Sequence, residues 1–556
     1  PSLNLTPFPD ASPPAPSGTA GEAKVYYNND SDDVYLSENS AWGPVAIPKN
    51  VATIIVAASD SLDPNKADPA YRCDGTNDEV TIQAAIDAVP AYNPVTDEGG
   101  GAVYLLEGTY NITGSINLNN TAPNDSAKSL IGAGSGTVLQ VVTNTSNVNV
   151  INASSVNRIL ISQLRIDGNT QTGGNNGGIV FDNVSDSKID NVQVESIDGI
   201  GISFVSANNN IVSNNSSRLN ANNGIRLDHS SNNNVSGNNF SSAGSNAGIF
   251  LNTLNQNNII SNNIVRSNAG SGILVYNSSF NIIRDNNIAS NSVNGIYLGG
   301  SDSSSTSDNN IISGNNIQSN GTNTTSHYGV YLDLANNNTV SANCLYGNKR
   351  GIFIDDSSNN VVINNLLTEN GDRGIRLIDD TGFVATTDNN LISSNLIYDS
   401  SGSGYGIDIS NSTCKNNYLV ANYIYGAGFT AKISDSGTNT KYTGKDKITL
   451  EPVTVVITGA ATIDPKNPPA SHIVFNNTSG ATQALILADG KAAGDQLILE
   501  NTSVNSVTIS ESTSNINLST GHQPTATLGQ YDTLELIWNG DAASPKWVEV
   551  SWTDVP

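Results

Sequence analysis

Asp333 and Asp355 close two successive copies of one short motif, Gly329-Val330-Tyr331-Leu332-Asp333 and Gly351-Ile352-Phe353-Ile354-Asp355. If each copy is a strand paired in register with the next, the two residues stand one strand spacing apart, about 5 Å at the backbone. Carboxyl groups that close suit a retaining glycosidase, and their mutual repulsion raises one pKa, as a general acid requires. The wider gap of an inverting pair would bring in Glu369, Asp379 or Asp408 as the partner of Asp333 or Asp355. The plainer account is that a solvated sheet face carries Asp anyway in a chain with 50 acidic residues.

The motif recurs along the chain, and period-two alternation turns its two variable positions outward. Stacked copies then form two columns. One carries Arg226, Phe250, Tyr297, Tyr331, Phe353 and Arg376; the other carries Asp228, Tyr276, Asp333 and Asp355. Outward rings among carboxylates and guanidinium groups suit a sugar groove, because rings cover the apolar sugar faces while charged groups fork the hydroxyls. Arg376, one coil beyond Asp355, is placed to bind an acidic sugar. Three other roles compete: rings that only stabilise the sheet, rings covered by long loops, and a face packed on sister chains. His327 and His229 are further polar candidates. Lys349 and Arg350 precede Gly351, but no full lyase constellation accompanies them. No cofactor is required; calcium is conceivable at Asp355-Asp356 or Asp379-Asp380, which equally fit exposed turns, and no metal site is assigned.

What must position these side chains is a repeat. Asn, four residues and Asn recur nine times, at Asn210/Asn215, Asn234/Asn239, Asn258/Asn263, Asn281/Asn286, Asn310/Asn315, Asn338/Asn343, Asn360/Asn365, Asn390/Asn395 and Asn417/Asn422. The period is 22–24 residues in regular cycles and 27–30 in longer ones, which is the length of a solenoid coil. One coil cannot bury its apolar face alone, so coils stack. Identical amides at the turns can then bond to those above and below. The register argues against an Asn-rich disordered tract and predicts an all-β fold, a right-handed parallel β-helix. Extra residues at 301–308, 321–327 and 381–388 are expected to protrude as loops.

Composition narrows the partners. A net charge of −26 with 24 Lys and Arg repels phosphate backbones and anionic bilayers, so nucleic acid is a poor partner. Membrane insertion is not expected, since no run of 18 apolar residues exists. Cys73, Cys344 and Cys414 lack metal-ligand spacing, and Cys344 and Cys414 lie about three coils apart, roughly 14 Å, beyond disulfide reach.

Flanking blocks add resemblances. Gly21, Tyr26, Val34-Tyr35-Leu36 and Trp42 resemble small adaptor modules near the N-termini of phage tail fibres and tailspikes. Asp74-Gly75-Thr76-Asn77-Asp78-Glu79 precedes a helix with Val80, Ile82, Ala85, Ile86 and Val89 on its apolar face, then Gly99-Gly100-Gly101 and Gly108-Thr109-Tyr110. This order resembles the opening of pectate-lyase-like β-helix proteins, phage tailspikes and polysaccharide-degrading enzymes included. There a helix plugs the open end of the solenoid, where unpaired edges would otherwise face water. The Gly-Ile-x-Leu and Asn-Asn-x-Ile cycles are also similar to periplasmic copper-chaperone-like and carbohydrate-binding β-helices. The ending, Gly529-Gln530-Tyr531-Asp532 through Trp538 and Lys546-Trp547, looks like C-terminal modules of phage fibres, which implies trimerisation.

The expected organisation is a Pro-rich leader and adaptor-like β module (1–50), a β-helix opening with capping helix (51–120), the β-helix (121–430), a linker (431–450) and a C-terminal β-sandwich or jelly roll (451–556). The expected function is that of a tailspike-like surface protein that binds, and in one version depolymerises, a cell-surface polysaccharide. It would form a homotrimer, attach to a virion through its N-terminal region, and act outside the cell or on the virion surface. A secreted polysaccharide hydrolase or lyase, and a non-catalytic filament or surface-layer protein, are the alternatives.

Overall fold

The computed structural model describes residues 24–28, 33–38, 41–44, 52–90, 100–119, 128–142, 147–169, 176–321, 327–379, 386–400, 404–443, 453–457, 461–463, 472–487, 496–511, 516–518, 525–538 and 546–553. The leader at 1–20 and most of the 321–327 and 381–388 loops lie outside them. The chain is an all-β protein, a right-handed parallel β-helix with, among the described residues, one α-helix near its N-terminus and a C-terminal sheet domain. It divides into two compact units, Pro1–Gly199 with Val205–Ser216, and Ile200–Phe204 with Ser217–Pro556.

In the first unit, Lys24–Asn28, Asp33–Glu38 and Ala41–Pro44 form a three-stranded antiparallel sheet at the site of the adaptor-like motif. Parallel coils begin at Ala52–Val56, which pairs with Gly101–Leu105, and that strand with Lys128–Gly132. The intervening helix, Glu79–Ala88, buries Ile82, Ala85 and Ile86 and is tied to coil strands by side chains: the Asn117 amide donates to Gln83 Oε1 at 2.8 Å and Lys128 Nζ donates to the Ile86 carbonyl at 2.9 Å. Val80, expected on its apolar face, is instead 65% exposed. It sits in the first turn, on the side away from Ile82 and Ile86. Asp78 does not cap the helix through its side chain; it accepts from the Gly75 and Asn111 amides, which holds the helix start against the strand Gly108–Ile112.

The second unit shows how a coil is built. Ile273–Tyr276, Ile282–Arg284 and Asn287–Ala289 are its three strands, and each pairs in parallel, without offset, with the strand one coil later. Ile273, Val275, Ile283 and Ile288 point inward and are fully buried. The corner between strands needs a left-handed backbone, which Asn tolerates better than most residues. Asn257, Asn309, Asn337, Asn359, Asn389 and Asn416 take it, with φ of 53–60°, and each precedes a buried Asn. The Asn-Asn doublet therefore has two jobs, a bent residue and a ladder residue.

Two buried ladders run through these corners. Asn258 Nδ2 donates to Asn281 Oδ1, Asn281 to Asn310 and Asn310 to Asn338; Asn263, Asn286, Asn315 and Asn343 repeat the pattern at the next corner. Their remaining amide hydrogens reach coil carbonyls, so buried polar groups are satisfied. The sequence pairing is off by one residue in one coil: Asn233 and Asn238, not Asn234 and Asn239, bond to Asn258 and Asn263. Asn234 and Asn239 lie in strands and are half-buried, because a one-residue shift moves a side chain to another face. A third ladder, unread in the sequence, joins Asn268, Asn291, Asn320, Asn348 and Asn370, five residues beyond the second.

The linker expected at 431–450 begins too early. Phe429–Asp435 still pairs with Gly404–Ile409, and Lys441–Thr443 with Tyr418–Val420, because coil pairing needs backbone register and only intermittent aliphatics. Beyond it, six-stranded and four-stranded sheets enclose a core of Phe475, Leu485, Leu497, Leu499, Trp538 and Trp547.

Candidate functional site

The columns run along the strands Ile296–Gly299, Val330–Asp333, Ile352–Asp355 and Arg373–Ile378 of the second unit. Tyr297, Tyr331 and Phe353 are register partners, as are Asp333 and Asp355. Tyr297 stacks on Tyr331 with ring centres 4.9 Å apart, and Phe353 meets Tyr331 edge-on at 5.2 Å. Tyr297 donates its hydroxyl hydrogen to Asp333 Oδ2 at 2.8 Å, while Tyr331 donates to Asp355 Oδ2 at 3.3 Å. Burial pushes the Asp333 carboxyl up, and the hydroxyls of Tyr297 and Tyr331 hold it back. Burial and the neighbouring carboxylates push both tyrosine hydroxyls far up, so they stay protonated donors.

One residue past the strand lies a group that the sequence offers either as a calcium ligand or as part of an exposed turn. Asp355 pairs with Ile378, so Asp356 and Asp379 occupy the same corner of successive coils. Both are buried, 4% and 6% exposed, and Asp356 bends the chain with φ 45°. Burial, the facing Asp379 and repulsion from Asp355 push the Asp356 carboxyl up to about 7. Its Oδ1 is buried without a hydrogen-bond partner. A carboxyl group that keeps its proton near neutrality beside other carboxylates is what general acid catalysis needs. The doublet Asp355-Asp356 is visible in the sequence, but only the coil geometry shows that its second member is buried at the same corner as Asp379.

Other expected residues fall in different surroundings. Phe353 is 4% exposed, covered by Tyr328 at 4.3 Å between ring centres and by Arg376 at 5.4 Å, so its ring does not offer a free face. Tyr276 is half-buried, with Gly299 as its register partner. Arg226, Asp228 and Phe250 form a separate group: Arg226 pairs with Asp228 at 2.7 Å and lies 5.8 Å from the Phe250 ring. His229 is exposed and bonded to Asp228 at 2.8 Å. His327 is half-buried, and burial lowers its pKa. Glu369 lies at a coil corner with φ 52°. Asp408 is held by Arg373 at 2.8 Å. Among the described residues, no group of three or more His, Cys, Asp and Glu is arranged to hold a metal ion. No helix among them is long and apolar enough to cross a membrane.

The family model described as right handed beta helix region matches residues 101–253, 148–312 and 255–384, together just over half of the chain, and the chain belongs to that family. Residues 455–542 match the phage depolymerase C-terminal beta sandwich domain. Among solved structures, the mannuronan C-5 epimerase AlgE4 A-module of Azotobacter vinelandii aligns at 20% identity over 67% of this chain and 97% of that one, with a TM-score of 0.50. The AlgE6 A-module aligns at 20% identity over 67% and 95%, with a TM-score of 0.49. ORF18 of Geobacillus virus E2 aligns at 17% identity over 77% and 72%, with a TM-score of 0.31. At 20% identity the likeness to the AlgE4 A-module shows the fold alone. No curated protein matches the chain.

Proposed function

We propose that this protein is a tailspike-type depolymerase, which binds a cell-surface polysaccharide along the second unit's outward columns and hydrolyses it. The observation that carries this reading is the match of residues 455–542 to a phage depolymerase C-terminal domain in a chain that is otherwise a β-helix. The buried carboxyl cluster supplies a chemistry consistent with it. Asp356 donates its proton to the glycosidic oxygen as the bond to the anomeric carbon breaks. Asp333 and Asp355, held by Tyr297 and Tyr331, stand on the register position next to it as the nucleophile or water-activating base. The same reading puts the chain outside the cell or on a virion surface, as a homotrimer attached through its N-terminal region.

The test is to incubate the full chain with purified bacterial capsular polysaccharides and measure new reducing ends. Release by the wild type and its loss in Asp356→Asn and Asp333→Asn support the reading. Binding without release from any polymer would leave a receptor-binding fibre, and neither binding nor release would overturn the proposal.

A further inference from the structure

Three guanidinium groups crowd the flank of the candidate site, in a chain with more than twice as many acidic as basic residues. Arg350 and Arg373 precede the glycines of successive motifs, and Arg376 lies three residues beyond Arg373. Both Arg350 Nε and Arg373 Nη1 donate to Asp372 Oδ2 at 2.6 Å. Arg373 Nε donates to Asp408 Oδ2 at 2.8 Å, and Arg376 Nε lies 3.4 Å from the same oxygen. The chain of contacts is thus cation, anion, cation, anion, cation, with one positive charge in excess. Burial lowers the pKa of Arg376, and the nearby Arg373 and Arg350 lower it further.

The cluster is rigid and faces outward in part. Arg350 lies 5.4 Å from the Tyr328 ring centre, Arg373 5.4 Å from that of Tyr405, and Arg376 5.4 Å from that of Phe353. Their side chains are 16%, 19% and 19% exposed. Among the described residues, the Nη2 groups of Arg350 and Arg373 and both Nη groups of Arg376 have no hydrogen-bond acceptor, and none of them is a buried orphan. Preorganised guanidinium forks with free donors, net positive and partly desolvated, bind planar oxyanions tightly. Arg373 alone bridges both carboxylates, and Arg376 adds a hydrogen bond from Nε to Ser410 Oγ at 2.7 Å.

We propose that Arg350, Arg373 and Arg376 form a subsite for a carboxylate carried by the polysaccharide, so that the substrate is an acidic, uronate-bearing polymer. This rests on the glycan reading above. The carboxylate would sit at the N-terminal ends of the strands, and the bond to be cut at their C-terminal ends by Asp355.

The experiment uses a panel of capsular polysaccharides, each native and carboxyl-reduced, with polygalacturonate and dextran as references, titrated against the full chain and Arg350→Gln/Arg376→Gln. The tightest ligand is expected to be a uronate polymer whose carboxyl reduction weakens binding by about tenfold or more, on the scale of a lost charged contact. The variant should lose a similar factor on the native polymer and nothing on the reduced one. Arg373 still bridges Asp372 and Asp408 in the variant, and unweakened binding of the carboxyl-reduced polymer separates lost carboxylate recognition from lost fold. A neutral or sulfated polymer as tightest ligand, equal binding of native and reduced forms, or equal losses on both would overturn the subsite while leaving glycan binding intact. Failure to bind any polymer strikes the glycan reading itself.

Discussion

Tyr297 donates to Asp333 at 2.8 Å across one coil, so the residue that stacks the sheet also holds a carboxylate. The hydroxyl opposes the upward push of burial on that carboxyl. Tyr297→Phe removes the donor and keeps the ring. A hydrogen bond to a charged group is worth roughly 1.5–3 kcal/mol, which corresponds to about one pH unit or more. If Asp333 acts ionised, the acid limb of the pH–rate profile should move up by about that amount, and the thermal midpoint should fall above that limb while staying nearly unchanged well below it. An unmoved limb would show that Asp333 does not titrate in the rate.

Asp356 gives a stability prediction that needs no substrate. Its folded pKa of about 7 lies above the unfolded value, so the folded state holds the proton more tightly. Stability from this group is complete at low pH, falls as pH rises from about 4 through 7, and is flat above. Asp356→Asn should therefore raise the thermal midpoint at pH 8, leave it nearly unchanged at pH near 4, and abolish hydrolysis at both. Parallel midpoint curves for the two proteins across that range would refute the shifted proton.

The asparagine ladder predicts a cooperative cost. Asn315 Oδ1 accepts from both the backbone amide and Nδ2 of Asn286 in the buried wall. Asn315→Ala orphans those donors at roughly 1–3 kcal/mol each. Hydrogen exchange should speed at the neighbouring coils first, since each coil contacts only its neighbours. A uniform change over all coils would argue against that localisation.

Gly351 tests the packing of the motif glycines. A Cβ there would stand 2.2 Å from the Gly374 carbonyl oxygen and 2.7 Å from Leu367 Cδ2. Backbone contact of that kind cannot relax without moving the adjacent coil, so Gly351→Ala should cost several kcal/mol, at the upper end of single substitutions, and lower the yield of folded protein. Wild-type stability in this variant would mean that the coil spacing is softer than the geometry implies.

The repeat was legible because every coil solves the same problem with the same residues. Inward aliphatics such as Ile296 and Leu298 and the asparagines of the ladders recur at one period, and periodicity survives without coordinates. Asn234 and Asn239 stand in the sequence period where the ladder uses Asn233 and Asn238, because runs of asparagine blur the register by one residue, which only strand pairing resolves.

The candidate site was half legible for a related reason. Asp333, Asp355, Tyr297 and Tyr331 share motif positions, so sequence spacing alone placed them in adjacent register. Phe353 looked like an open sugar platform, yet Tyr328 and Arg376 cover it. Asp356 lies just past the repeated motif, at a corner with φ 45°, and Arg350 and Arg373 lie just before its glycines. What the sequence by itself determined was the coil, its ladders and the columns, because these follow from a linear period. Only the tertiary structure decided which carboxyl is buried enough to keep its proton and which guanidinium groups converge, because burial and charge pairing depend on neighbours brought together from separate coils.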